Sequence, residues 1–169
     1  MSRRSHRLVV GLGVVVALVA AVPVVAFGIV PLFVRHTVVE PPLTVGPSAV
    51  LSTNHDEPAP PAPLVLIGML RRVDSVHYGS GTVKLMASTA ARVLRFENAD
   101  IAGAPNMFVY LSDRADGQPG KFTDLGPLKA TNGSFNYPVP ADLDLSSVRS
   151  VVVWCRAFTV TVTWAPLSG

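Results

Sequence analysis

No stretch of ten residues between Leu64 and Gly169 carries a helical apolar stripe; short apolar or alternating runs follow one another, divided by turn-forming residues. This limits what these 106 residues can become, because runs of four to eight residues suit strands and are too short for stable helices. The spacing predicts strands over 64–71, 82–86, 91–97, 107–112, 122–129, 134–139, 149–155 and 158–164. Between them lie Gly79-Ser80-Gly81, the run 113–120 with Gly117, Pro119 and Gly120, and Asn132-Gly133. Asn-Gly between two strand-like runs predicts a hairpin, since both central residues of a type I′ turn need positive φ. The same turn accounts for Asn132 and Gly133 without a glycan, although Asn132-Gly133-Ser134 also fits a glycosylation sequon. The expected fold is all-β, a small antiparallel β-sandwich or barrel of about eight strands, large enough to bury a core without disulfides.

The chain before this domain has a different character. Arg3, Arg4 and Arg7 precede 27 uncharged residues, 8–34, and Arg35 closes the run. At about 1.5 Å per residue such a helix reaches roughly 40 Å, against a hydrocarbon core of about 30 Å. A signal peptide cut after Val19-Ala20-Ala21 competes with this reading, but the apolar run continues through Phe33 and favours an uncleaved anchor. Pro23, Gly28 and Pro31 are tolerable in a bilayer. The positive residues at the amino end place Met1 in the cytoplasm and the rest outside, giving a single-pass protein of the cell membrane with an extracytoplasmic domain. The only cysteine is Cys155, so no lipoprotein anchor is available.

Three regions follow: a cytoplasmic stub and transmembrane helix over 1–35, a Pro-rich extracytoplasmic linker over 36–63, and the β domain over 64–169. The linker holds seven prolines from Pro41 to Pro63, which favour extended polyproline II and a reach of up to roughly 80 Å at about 3.1 Å per residue. His36 and His55 stand isolated in it and read as solvated residues. The net charge of +3 divides into four arginines around the anchor, three carboxylates in the linker, and ten cationic against eight anionic residues from Leu64 onward. With no basic run in the domain, no nucleic acid partner is expected.

Cys155 is the residue to which chemistry is most readily assigned. As the chain's only cysteine it has no intramolecular disulfide partner, which leaves packing, ligation or reaction with another molecule. Val151, Val153 and Cys155 share one strand face, yet farther on Phe158, Val160, Val162 and Trp164 alternate on even positions. A bulge or abrupt bend near Arg156-Ala157 would produce that change of phase and set Cys155 at a strand end. Trp154 and Phe158 read as core. Arg156 is a neighbour on the opposite face, poorly placed to lower the thiol pKa.

The order of several segments resembles the DM-thirteen domain family. Val73-Asp74-Ser75-Val76-His77-Tyr78-Gly79-Ser80-Gly81, Val93-Leu94-Arg95-Phe96-Glu97-Asn98 and Ala104-Pro105-Asn106-Met107-Phe108-Val109-Tyr110 are similar to it. So are Asp124-Leu125-Gly126-Pro127-Leu128-Lys129, the 133–140 segment with Tyr137, and Val153-Trp154-Cys155-Arg156-Ala157-Phe158. The resemblance spans 64–169. It implies a small extracytoplasmic all-β domain whose Trp-Cys cysteine takes part in redox or electron-transfer chemistry, with haem as the cofactor it suggests. Carried over residue by residue, it falls first on Cys155 and then on His77. The family's carboxylate is replaced by Asn106, and its Phe-Gly by Val162-Thr163.

The side chains narrow the chemistry. A blue-copper site needs two histidines and usually a methionine beside the cysteine, but nothing suitable follows Cys155 and His77 is the domain's only histidine. Tetrahedral zinc lacks ligands for the same reason, and no Cys-X-X-Cys-His exists for covalent haem. A haem held by Cys155, with or without His77, remains open by ligand count. The leading function is therefore a redox or electron-transfer role centred on Cys155, with an envelope protein as redox partner. The alternative is a non-catalytic binding or adhesion module of the envelope. A sortase-like reading with Cys155, His77 and Arg156 ranks lower, since the Thr-Leu-X-Thr-Cys segment is absent; no hydrolytic or transferase activity is expected.

Overall fold

The computed structural model describes residues 35–42, 64–88 and 91–169. The transmembrane expectation falls on 8–34, outside the described residues; among those described, no helix is long and apolar enough to cross a membrane. Among the described residues there are nine strands: β1 (Thr37–Val39), β2 (Leu64–Met69), β3 (Gly79–Ala87), β4 (Arg92–Ile101), β5 (Met107–Ser112), β6 (Phe122–Pro127), β7 (Asn132–Pro138), β8 (Ser150–Cys155) and β9 (Val160–Pro166). They form two sheets, β1-β7-β4-β3-β2 and β6-β5-β8-β9. This makes a sandwich, and the barrel alternative falls away. At one edge β2 and β9 approach through isolated bridges, Ile67 to Ser168 and Arg71 to Trp164, so that edge is partly sewn shut.

The core follows from the period of two. In β3, Val83 and Leu85 turn inward, meeting Leu94 and Phe96 of β4 and Phe135 and Tyr137 of β7. From the facing sheet come Val109, Leu111, Val151, Val153, Cys155 and Val162. Phe96 and Phe135 stack with centroids 4.9 Å apart, and the Tyr137 ring meets Phe96 edge-on at 6.0 Å. Such ring pairs add about 0.5–1.5 kcal/mol each beyond their buried area.

The first strand lies within the segment that the sequence assigns to the linker. β1 pairs in parallel with β7, Thr37 opposite Asn132 and Val39 opposite Ser134, the one parallel pairing among the described strands. Polar contacts hold it in place. Glu40 accepts from the Asn136 backbone N–H at 2.8 Å, from Asn136 Nδ2 at 3.0 Å and from Lys129 Nζ at 2.9 Å. Arg95 Nη1 donates to the carbonyls of Glu40 and Pro41, and Arg35 pairs with Asp100 at 2.9 Å. Lys129, with help from Asn136, holds the Glu40 carboxyl below its ordinary value of 4.5 despite partial burial.

A pH effect follows, because a carboxyl depressed in the fold stabilises it above the unfolded value and ceases to as pH falls through the folded one. Amide exchange of Asn136 should therefore lose protection, relative to its intrinsic rate, as the pH drops from about 4.5 through the Glu40 titration, while Phe96 keeps its protection. Equal loss at both amides would mean that β1 is no separate unit.

Two sequence expectations need correction here. Asn132-Gly133 is no hairpin turn: both residues lie within β7, and β6 and β7 belong to different sheets. Gly133 is required for another reason, since its φ is +108° and a Cβ would land on the Val38 carbonyl oxygen. Gly79-Ser80-Gly81 likewise opens β3 instead of dividing strands; the turn lies earlier, in 71–78. Gly79 lets β3 approach β9, where a Cβ would strike the Thr163 side chain.

The phase change near Cys155 has a double origin. β8 ends at Cys155, Arg156–Thr159 turn the chain, and β9 returns antiparallel. A register shift opposite Val153 and Trp154 then alters the phase of β9 again. Phe158 lies in the turn with 59 % exposure and is not core, and Trp154 is only half-buried.

Candidate functional site

The strand directions gather five connections at one end of the sandwich: the approach to β1 at 35–36, and the segments 70–78, 102–106, 128–131 and 156–159. Cys155 closes β8 at this end, opposite Met107 of β5. Its side chain is wholly buried, and Sγ donates to the Pro105 carbonyl oxygen at 3.0 Å. The Arg156 backbone N–H donates to the Asn106 carbonyl at 3.0 Å, tying the strand end to the β4–β5 connection. Asn106 itself stands at φ +56°, in the left-handed region. The thiol is thus sealed beneath Pro105 and Asn106.

Arg156 turns away from it, as strand alternation requires. Its guanidinium lies 3.4 Å from the Phe108 ring centroid, Nε donates to Tyr110 Oη at 2.7 Å, and a terminal nitrogen pairs with Asp124. Tyr110 in turn stacks on Phe122 at 4.1 Å. These groups form an aromatic cluster on the outer face of the second sheet, one strand thickness from the thiol.

His77 belongs to a separate arrangement in the 70–78 segment. Asp74 accepts from the backbone N–H groups of Val76 at 2.8 Å and His77 at 2.7 Å, and its second oxygen lies 2.7 Å from His77 Nδ1. The His77 ring first, then those two amides, pull the Asp74 carboxyl down to about 2. His77 is therefore committed to shaping its own loop. Cys155, His77 and Arg156 share an end of the sandwich, yet each is hydrogen-bonded to a different group, and no catalytic triad is assembled.

Beside the sealed thiol is a pocket of about 510 Å³, lined by His36, 104–108 and 127–131. Its walls are largely apolar, from Ala104, Pro105, Met107, Phe108, Pro127 and Leu128, with His36, Asn106, Lys129 and Thr131 as the polar members. Tyr137 fixes one wall: its buried hydroxyl accepts from the Lys129 backbone N–H at 2.7 Å and donates to the Pro127 carbonyl at 3.1 Å, and burial raises its pKa. This pocket is not foreseen from the sequence, because His36 and Thr131 are distant in the chain and meet only when β1 docks. The sequence pattern predicts a strand through 122–129, whereas β6 ends at Pro127; the Gly126-Pro127 pair is the available signal for that end.

A haem held through Cys155 does not fit this arrangement. The thiol faces a carbonyl instead of a cavity, Pro105 and Asn106 separate it from the pocket, and His77 is engaged by Asp74. Among the described residues, no group of three or more His, Cys, Asp or Glu could hold a metal ion.

The fold and this end together define a class: a two-sheet sandwich with a sealed lone thiol beside an apolar pocket. Residues 72–167, more than half of the chain, match the family described as Electron transfer DM13, and the chain belongs to that family. No curated protein and no solved structure matches it.

Proposed function

We propose that the chain is an electron-transfer domain held at the outside of a cell membrane by residues 8–34, and that it exchanges electrons through the Cys155 thiol itself, with a disulfide-bearing envelope protein as partner. The observation that carries this is the position of Cys155: it is the last residue of β8, and its buried sulfur donates to the Pro105 carbonyl of the short 102–106 connection at the end of the sandwich. When that connection opens, the Cys155 thiolate attacks the partner's disulfide. A sulfur–sulfur bond to Cys155 forms, the partner's own breaks, and the departing thiolate takes up the proton that Cys155 released. Cys155 is oxidised to the mixed disulfide as the partner sulfur is reduced. An extracytoplasmic site, away from the reducing cytosol, suits this exchange.

The test is the rate at which the native domain reacts with a chromogenic aromatic disulfide, compared with the unfolded chain. A local opening that costs about 3 kcal/mol slows the reaction roughly a hundredfold, independently of low denaturant concentrations. Reaction only in step with global unfolding would sink the thiol reading. That outcome favours a second reading, a passive binding module that uses the pocket, in which the complete burial of Cys155 is packing alone.

A further inference from the structure

Only Arg35 and His36 separate the apolar run 8–34 from β1 at Thr37. Two extended residues span about 7 Å. β1 cannot slide away to lengthen this link without surrendering its pairing with β7, the Glu40 contacts to Asn136 and Lys129, and the Arg35–Asp100 bridge. Residues 43–63 join β1 to β2 and so lie beyond the docked strand, where they add nothing to the distance between the apolar run and the sandwich.

The end that Arg35 enters has a matching surface. Val73, Val76 and Phe158 are 47 %, 66 % and 59 % exposed there, in the 70–78 and 156–159 connections. Arg71 and Arg72 stand among them, exposed, their guanidinium groups over the Trp164 and Tyr78 rings at 5.1 Å and 4.9 Å. Among the described residues, neither arginine forms an ion pair: Arg72 Nη1 donates to the Asp74 backbone carbonyl at 3.2 Å, and the Asp74 carboxylate is engaged by His77. Exposed apolar tips interleaved with arginines suit the headgroup region of a bilayer, where the tips enter the acyl boundary and the guanidinium groups meet phosphate.

We propose that this end of the sandwich rests on the outer leaflet, with lipid headgroups as its partner, and that the Pro-rich segment is a crossover between β1 and β2 instead of a stalk. The proposal rests on the reading of 8–34 as an anchor. The pocket and the 102–106 connection that covers the thiol then face the bilayer surface, and a soluble partner must approach along the membrane plane.

The full chain, reconstituted in phosphatidylcholine–phosphatidylglycerol vesicles with a headgroup-nitroxide lipid, tests this through a fluorophore attached at Val76→Cys, Phe158→Cys or, at the opposite end, Asp142→Cys. The wild-type chain labelled in parallel reports any reaction of buried Cys155. Quenching several-fold stronger at positions 76 and 158 than at 142 is expected. Equally weak quenching at all three, with the protein still sedimenting with the vesicles, would overturn the resting geometry and leave the anchor standing. Protein that does not sediment with the vesicles would overturn the anchor and this proposal with it.

Discussion

Phe135→Ala is expected to lower the unfolding free energy by about 3–5 kcal/mol, the usual cost of removing a buried aromatic ring. Phe135 is wholly buried, stacks on Phe96 and meets Tyr137 edge-on, so its loss leaves a cavity at the centre of the first sheet. Domains of ordinary stability hold about 5–15 kcal/mol in total, and this variant should unfold at a much lower denaturant concentration than wild type. A midpoint shift equivalent to less than about 1 kcal/mol would mean that the three rings do not form the core described.

Gly133→Val should have the second largest effect, through a different route. Its φ of +108° is strained for a branched residue, and the new side chain would collide with the Val38 carbonyl. Strain of about 1–3 kcal/mol and overpacking of about 1–3 kcal/mol are the two contributions. Releasing β1 relieves the collision, so much of the loss should appear as detachment of residues 35–42 instead of global unfolding. Trypsin then cuts after Arg35 in the folded variant but spares it in wild type. If Arg35 is equally resistant in both, Gly133 does not control the docking of β1.

The strand pattern of the domain was largely legible in the sequence, because alternation and turn residues are local signals. Met107–Ser112 forms where the alternation puts it, and Cys155 ends a strand at the point where the apolar phase changes. Gly133 misled for a physical reason: the positive φ that marks a tight turn also serves a strand where another backbone comes close, and only the arrival of Val38 tells the two apart. β1 itself was hidden by its context, three residues of strand character beside the prolines of the next segment. For the candidate site, the sequence singles out Cys155 and His77, but what surrounds them depends on contacts across the fold. The carbonyl of Pro105 that caps the thiol lies 50 positions away in the chain. His77 is occupied by Asp74, a neighbour whose spacing could have been noticed as a local turn.

The pairing of Thr37 with Asn132 joins residues 95 positions apart. Chains grow from the amino end at about 5–20 residues per second, so Thr37 waits roughly 5–20 seconds before its partner has even been made. The strand that is synthesised first is thus among the last to find its place, and until it does, the edge of β7 stays open to mispairing with another chain.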